Sequence, residues 1–156
     1  MLSEKHFERR NAMVNNDTIK LLKECNAGVK TAVTAIDEVL DKVESKSLER
    51  ILAKNKEEHE ELGNLTHTLL NRYDKNEKDP SPMAKAMTKM MTEAKLMVNS
   101  SDEKVADMMY DGCNMGVKSL YRYLNQYSNA DEEAKEIAGR LIYLENGLMQ
   151  KLRAFL

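Results

Sequence analysis

The chain has 156 residues, with 24 Lys+Arg against 26 Asp+Glu, a net charge of −2, 42 % hydrophobic and 32 % charged residues. That length fits one domain, with too much apolar content for a disordered chain and no charge excess to draw a nucleic acid or an anionic membrane. No apolar run nears the roughly 20 residues of a membrane span, and two cysteines without an export signal point to a reducing, cytoplasmic compartment.

Capping chemistry and apolar spacing divide the chain into helices. Residues 3–12 form a short first helix whose main apolar anchors are Leu2 and Phe7. Asn15 or Asn16 caps the next, 17–44, where Leu22, Cys25, Val29, Ala32, Ile36, Val39 and Val43 alternate by three and four. Ser45 or Ser47 opens 47–73, with an apolar stripe of Leu48, Ile51, Leu52, Leu62, Leu65 and Leu69. The only prolines, Pro80 and Pro82, follow a polar stretch, and Ser81-Pro82 is an N-cap with proline at the first helical position, starting 82–98. Met83, Met87, Met90, Met91 and Met97 give that helix a pliable stripe for packing over the side of a bundle. Ser100-Ser-Asp-Glu103 opens 102–127 and Asn129-Ala-Asp-Glu132 opens 131–155, each with carboxylates in the first turn. No stretch alternates apolar and polar residues strictly, so the class is all-α.

A repeat organises these helices. Cys25-Asn-Ala-Gly-Val-Lys30 recurs 88 positions later as Cys113-Asn-Met-Gly-Val-Lys118, and the heptad frame recurs with it as Tyr110, Cys113, Val117, Leu120, Leu124 and Tyr127. Each copy leads through a short turn into a second long helix, which predicts two antiparallel helical hairpins, 17–73 and 102–155. Helix 82–98 would then cross from one end of the bundle to the other, the topology of ferritin-like folds. The paired Cys-Asn-x-Gly-Val-Lys helices, Asp79-Pro-Ser-Pro-Met-Ala-Lys-Ala86 and Asp111-Gly-Cys-Asn-Met-Gly116 resemble bacterial ferritin-like four-helix bundles of unknown function, over residues 15–156. The resemblance implies a single ferritin-like domain, 1–156.

Dinuclear metal sites in such bundles take a Glu from each of two helices and Glu-x-x-His from each of the other two. Here the residues three before His6, His59 and His67 are Ser3, Lys56 and Asn64, and Asn26 and Asn114 stand where a first-helix carboxylate would project. The expectation is therefore a bundle with no dinuclear site, no cofactor and no catalytic residue. One alternative ligand set remains. Glu58 and His59 could face Glu145 and hold a single metal ion, or Lys56–Glu61 is a solvated face with His59 at its margin.

Cys25 and Cys113 read as small buried hydrophobes, since nothing cationic flanks them in the frame. Gly28 and Gly116 mark a close helix approach, with Asn26 and Asn114 either hydrogen-bonded across the axis or wet at the rim. Tyr110 and Tyr127 fall on the core frame, and Tyr121 and Tyr123 cannot both do so. With no acid–base, nucleophile or phosphate-binding constellation, the sequence points to a non-catalytic interaction or assembly module that self-associates as a homo-oligomer or meets a protein partner. The alternative function is a metal-binding oxidoreductase or metal-storage bundle with non-standard ligands.

Overall fold

The computed structural model describes residues 2–73 and 101–156, and of 2, 3 and 6–15 the backbone alone. These residues form four α-helices and no strand: α1 (Leu2–Leu40), α2 (Lys46–Tyr73), α3 (Asp102–Gln126) and α4 (Glu132–Leu152), the last tightening into a 3-10 turn at Arg153–Phe155. Three starts are capped within the runs that open these helices in the sequence, with Asp131 the cap rather than the first helical residue. Ser45 Oγ accepts from the Leu48 N–H at 3.2 Å, Ser101 Oγ from Lys104 at 3.3 Å and Asp131 Oδ1 from Ala134 at 2.9 Å, each meeting a donor that the first helical turn leaves open.

Two boundaries differ from the sequence reading. No break separates 3–12 from 17–44; α1 is continuous from Leu2 to Leu40. Met13-Val-Asn-Asn16 contains neither proline nor glycine. Asparagine inside a helix is unfavourable by only about 0.7 kcal/mol, whereas ending and re-nucleating a helix sacrifices several hydrogen bonds. At its other end α1 stops at Leu40 rather than 44. The expected crossover helix 82–98, its Ser81 cap and its methionine stripe lie outside the described residues.

α1 packs along α2 and α3 along α4, with further contacts of α4 on α1 and α2 and of α1 on α3. Polar latches fasten the turns. Asp102, at the start of α3, accepts from the Glu44 and Ser45 N–H groups at 2.9 and 2.8 Å, clamping the α1–α2 turn. The α3–α4 turn is tied to α1, where the Asp131 N–H donates to Thr18 Oγ1 at 2.9 Å and the Asn129 N–H to Asp17 Oδ2 at 3.1 Å. From α2, the Tyr73 hydroxyl donates to Asp131 Oδ2 at 2.9 Å.

The core comes in two apolar clusters. One gathers Leu22, Val29, Leu62, Leu69, Leu120, Ile137 and Leu141; the other Ile36, Val39, Leu48, Leu52, Val105, Met109, Leu148 and Leu152. On every helix a stretch without buried apolar side chains lies between them: 30–34 on α1, 53–61 on α2, 114–119 on α3 and 143–147 on α4. That interval holds the polar centre of the molecule. Among the described residues, no helix is long and apolar enough to cross a membrane.

Candidate functional site

The buried positions of α2 run Leu48, Leu52, Asn55, His59, Leu62, Thr66 and Leu69, a strict alternation of four and three. Those of α4 include Ala134, Ala138, Leu141, Glu145, Leu148 and Leu152 with the same alternation. Both start three residues after their caps, Ser45 and Asp131, so His59 and Glu145 are each the fourteenth residue after the cap. Asp131 meets Tyr73 at the far end of α2, and His59 is also fourteen residues from Tyr73, so helical geometry brings the two polar side chains of α2 and α4 to the same depth at inward positions.

Burial there is nearly complete. His59 is 0 % exposed, Glu145 5 % and Asn55 8 %. Together they line a cavity of about 40 Å³, room for one to three water-sized groups, since each needs roughly 10–15 Å³. The other walls include Gly28, Cys113 and Gly116 from the repeat, with Thr31 just after its first copy and Met109 and Leu148 from the second apolar cluster. Gly116 leaves room for Glu145, since a Cβ at that position would stand 2.9 Å from the Glu145 Cδ and the carboxylate would have to move. The carboxylate lies in the space a larger residue would fill.

Hydrogen bonding fixes what each group presents to the cavity. His59 Nδ1 lies 2.9 Å from the Asn55 carbonyl, an acceptor only, so Nδ1 carries the hydrogen and Nε2 is left as an acceptor. Asn55 Nδ2 donates to the Leu144 carbonyl at 3.3 Å, leaving Oδ1. Thr31 Oγ1 donates to the Ala27 carbonyl at 2.8 Å. Asn55 Oδ1, His59 Nε2 and Glu145 Oε2 are buried without a hydrogen-bond partner. Three such atoms converging on one cavity are unusual, since buried polar atoms are nearly always paired.

The electrostatics follow from burial. Desolvation pushes the Glu145 carboxyl up to about 8, so it stays protonated in neutral solution. It also lowers His59 below the usual histidine range, opposed by the hydrogen bond to the Asn55 carbonyl and the charge of Glu58. Burial, then the nearby Glu145, raises the Cys113 thiol well above its ordinary value, and burial with Glu24 and Glu145 raises Cys25 to about 12. Neither is a thiolate nucleophile. A separate polar contact lies in the first apolar cluster, where the Tyr123 hydroxyl hydrogen-bonds the buried Glu24 and stacks its ring on Tyr127.

No protein-family model, curated protein or solved structure matches this chain. The site is therefore read from its own geometry.

Of the alternative ligand set Glu58, His59 and Glu145, the structure brings together the last two. Glu58 instead lines a surface groove between α2 and α4 with Lys54, Tyr143 and Lys151, because successive helical residues point about 100° apart. Among the described residues, no three His, Cys, Asp or Glu side chains are placed to hold a metal ion. His59 is not the margin of a solvated face, although its neighbours Glu57, Glu60 and Glu61 are exposed. The α2 stripe is corrected in the same way: Leu65 is exposed, while Thr66 is buried with its hydroxyl donating to the Leu62 carbonyl.

The repeat's two asparagines part company. Asn26 is buried and Asn114 exposed, so they form no buried pair. Cys25 and Cys113 are both buried free thiols, one in each apolar cluster. Of the tyrosines in 102–155, Tyr123 is buried, Tyr110 and Tyr127 are half-buried and Tyr121 and Tyr143 are exposed. The sequence reading passed over Asn55 and Thr31 as site residues; counting the four-three alternation through polar positions would have found Asn55.

Proposed function

We propose that the protein is a non-catalytic binding bundle, a ferritin-like pair of antiparallel hairpins with 82–98 as crossover, acting by holding a small ligand at mid-bundle. One observation carries this reading: the unpartnered Asn55, His59 and Glu145 atoms that converge on the central cavity. Leaving buried polar atoms unpaired destabilises a fold by about 1–3 kcal/mol each, a sacrifice that function explains better than folding does. The cavity of about 40 Å³ limits that ligand to a small one, being far smaller than the roughly 300–1,000 Å³ of sites for larger organic ligands. Self-association rests on no comparable observation. The exposed large apolar side chains Leu65, Met115, Tyr121, Tyr143 and Leu156 stand singly on α2, α3, α4 and the C-terminus, an ordinary surface pattern.

The test compares the wild type with His59→Leu/Glu145→Met, which makes the layer apolar, in thermal melts with chlorides of ammonium, potassium, magnesium, manganese and zinc and with sodium formate. The binding reading expects the double variant to melt higher than the wild type without ligand, and at least one probe to raise the wild-type melting temperature alone. A double variant that melts lower, together with no response to any probe, would show that the polar layer serves the fold.

A further inference from the structure

Resting on that binding reading, we propose that the central cavity takes an ammonium group, either the ammonium ion or the head of a primary amine. The argument begins with what the lining offers. Asn55 Oδ1 and His59 Nε2 are acceptors because their companion nitrogens already donate to the Leu144 and Asn55 carbonyls. Thr31 Oγ1 is an acceptor because its hydrogen goes to the Ala27 carbonyl. Glu145 Oε2, once ionised, is the fourth. A water molecule brings as many acceptors as donors and leaves such a site half satisfied. An ammonium group brings N–H donors only.

Charge balance points the same way. Among the described residues Glu145 is the one acidic side chain in the lining, and burial accounts for its perturbation, with no cation there to compensate it. A monovalent cation makes the layer neutral. For a divalent metal, no three His, Cys, Asp or Glu side chains among the described residues are placed to hold it, and with Glu145 as its one anionic partner it would leave a net positive charge among buried groups, which is strongly unfavourable. Alkali ions carry the right charge, but hard cations take oxygen ligands rather than imidazole nitrogen.

Size sets the rest. About 40 Å³ accommodates the head group and little more. The cavity reaches the surface between α1 and α3, where Gly112 and Ser119 are half-buried and Met115 is exposed. A short alkyl chain would leave through that slot of small residues.

The proposal is tested by isothermal titration of the full chain at pH 8 and constant ionic strength with ammonium, methylammonium, n-butylammonium, tetramethylammonium, potassium and zinc chlorides. Ammonium and methylammonium are expected to bind once per chain and to compete. Glu145→Gln should weaken them about ten- to a hundredfold, the usual loss of a charge-assisted hydrogen bond. Thr31→Val, which keeps the side-chain shape, should weaken them by a smaller factor and guards against misfolding of the first variant. Retention of n-butylammonium would identify an amine head; its exclusion would identify the free ion. Tetramethylammonium or potassium binding as tightly as ammonium would overturn the proposal, because neither has an N–H. Zinc binding that Glu145→Gln abolishes would overturn the ammonium class and leave the binding reading standing. No binding by any of the six would overturn both.

Discussion

The two apolar clusters and the polar layer between them are built on the same helices from the same frame, yet they obey opposite rules. In the clusters the inward positions are filled chiefly by Leu, Ile, Val, Met or another apolar side chain, with Leu22, Ile36, Leu52 and Leu148 fully or almost fully buried, and buried polar side chains there such as Thr66 and Glu24 are hydrogen-bonded. In the layer the inward positions are Asn55, His59, Glu145 and two glycines, around a cavity rather than a packed contact. Burial of a leucine stabilises a fold by about 1.5–3 kcal/mol, whereas an unpaired buried polar atom destabilises it by about 1–3. The clusters hold the bundle together on either side, and the layer can then be unfavourable without unfolding it. Stability and chemistry occupy different heights of one bundle.

The largest effect that should expose this division is the pH dependence of stability. In the unfolded chain Glu145 ionises near its ordinary 4.5, but in the folded chain it holds its proton to about 8. Between those values the folded state binds the extra proton, so stability falls as pH rises, by about 1.4 kcal/mol per pH unit. The titratable groups around Glu145 from the other helices are His59 on α2, Cys113 on α3 and Cys25 on α1. His59 is lowered from 6.5, so its opposing effect on stability fades above that value, and the raised thiols begin to act only above 9. From pH 6.5 to 8 the slope among the described residues therefore comes mainly from Glu145, a loss of about 1–2 kcal/mol over the window as the opposing His59 contribution fades. Urea unfolding at pH 6.5 and 8 without added ligand should show it, and Glu145→Gln should remove it. A flat wild-type profile would mean that Glu145 reaches solvent and that the layer is not dry.

A smaller effect separates the wall of the cavity from its floor. Alanine at Gly116 must displace the Glu145 carboxylate it would otherwise strike, but that carboxylate is the end of a flexible side chain that can move, so the loss falls at the low end of the overpacking range, about 1 kcal/mol. Equilibrium unfolding of Gly116→Ala should show that loss together with a weaker pH slope, because the displaced carboxyl is rehydrated. Loss of stability with the slope intact would place the carboxylate elsewhere.

Much of the fold was legible because helix starts are local chemistry. Ser45, Ser101 and Asp131 cap as their side chains dictate, whatever the rest of the chain does. The missing break at 13–16 shows the reverse, an element boundary inferred from a weak preference that continuation overrode. The site was less legible because its residues look like surface. Lys56–Glu61 is charged throughout, and nothing in that run marks His59 as inward except its place in the alternation that Leu48, Leu52 and Leu62 establish. Identical spelling misled as well: in Cys-Asn-x-Gly-Val-Lys the glycines share the cavity, but Asn26 and Asn114 do not share an environment. The second helices, which lack the motif, supply the polar groups.

The smallest expected effect tests the outer face of α4, on the far side from the layer. A Cβ at Gly147 would meet nothing within 4 Å, and the residue borders the groove with Tyr143 and Lys151. Alanine there keeps the helix and restricts the unfolded chain, which stabilises by about 0.5–1 kcal/mol. Gly139 on the same helix is equally open, so Gly139→Ala calibrates the gain. Equal gains in chemical unfolding would mean that the groove is open in solution. A gain at Gly139 with a loss at Gly147, sharpening with protein concentration, would mean that a second copy covers the groove. Assembly would then reside on α2 and α4 while the polar layer keeps its separate role.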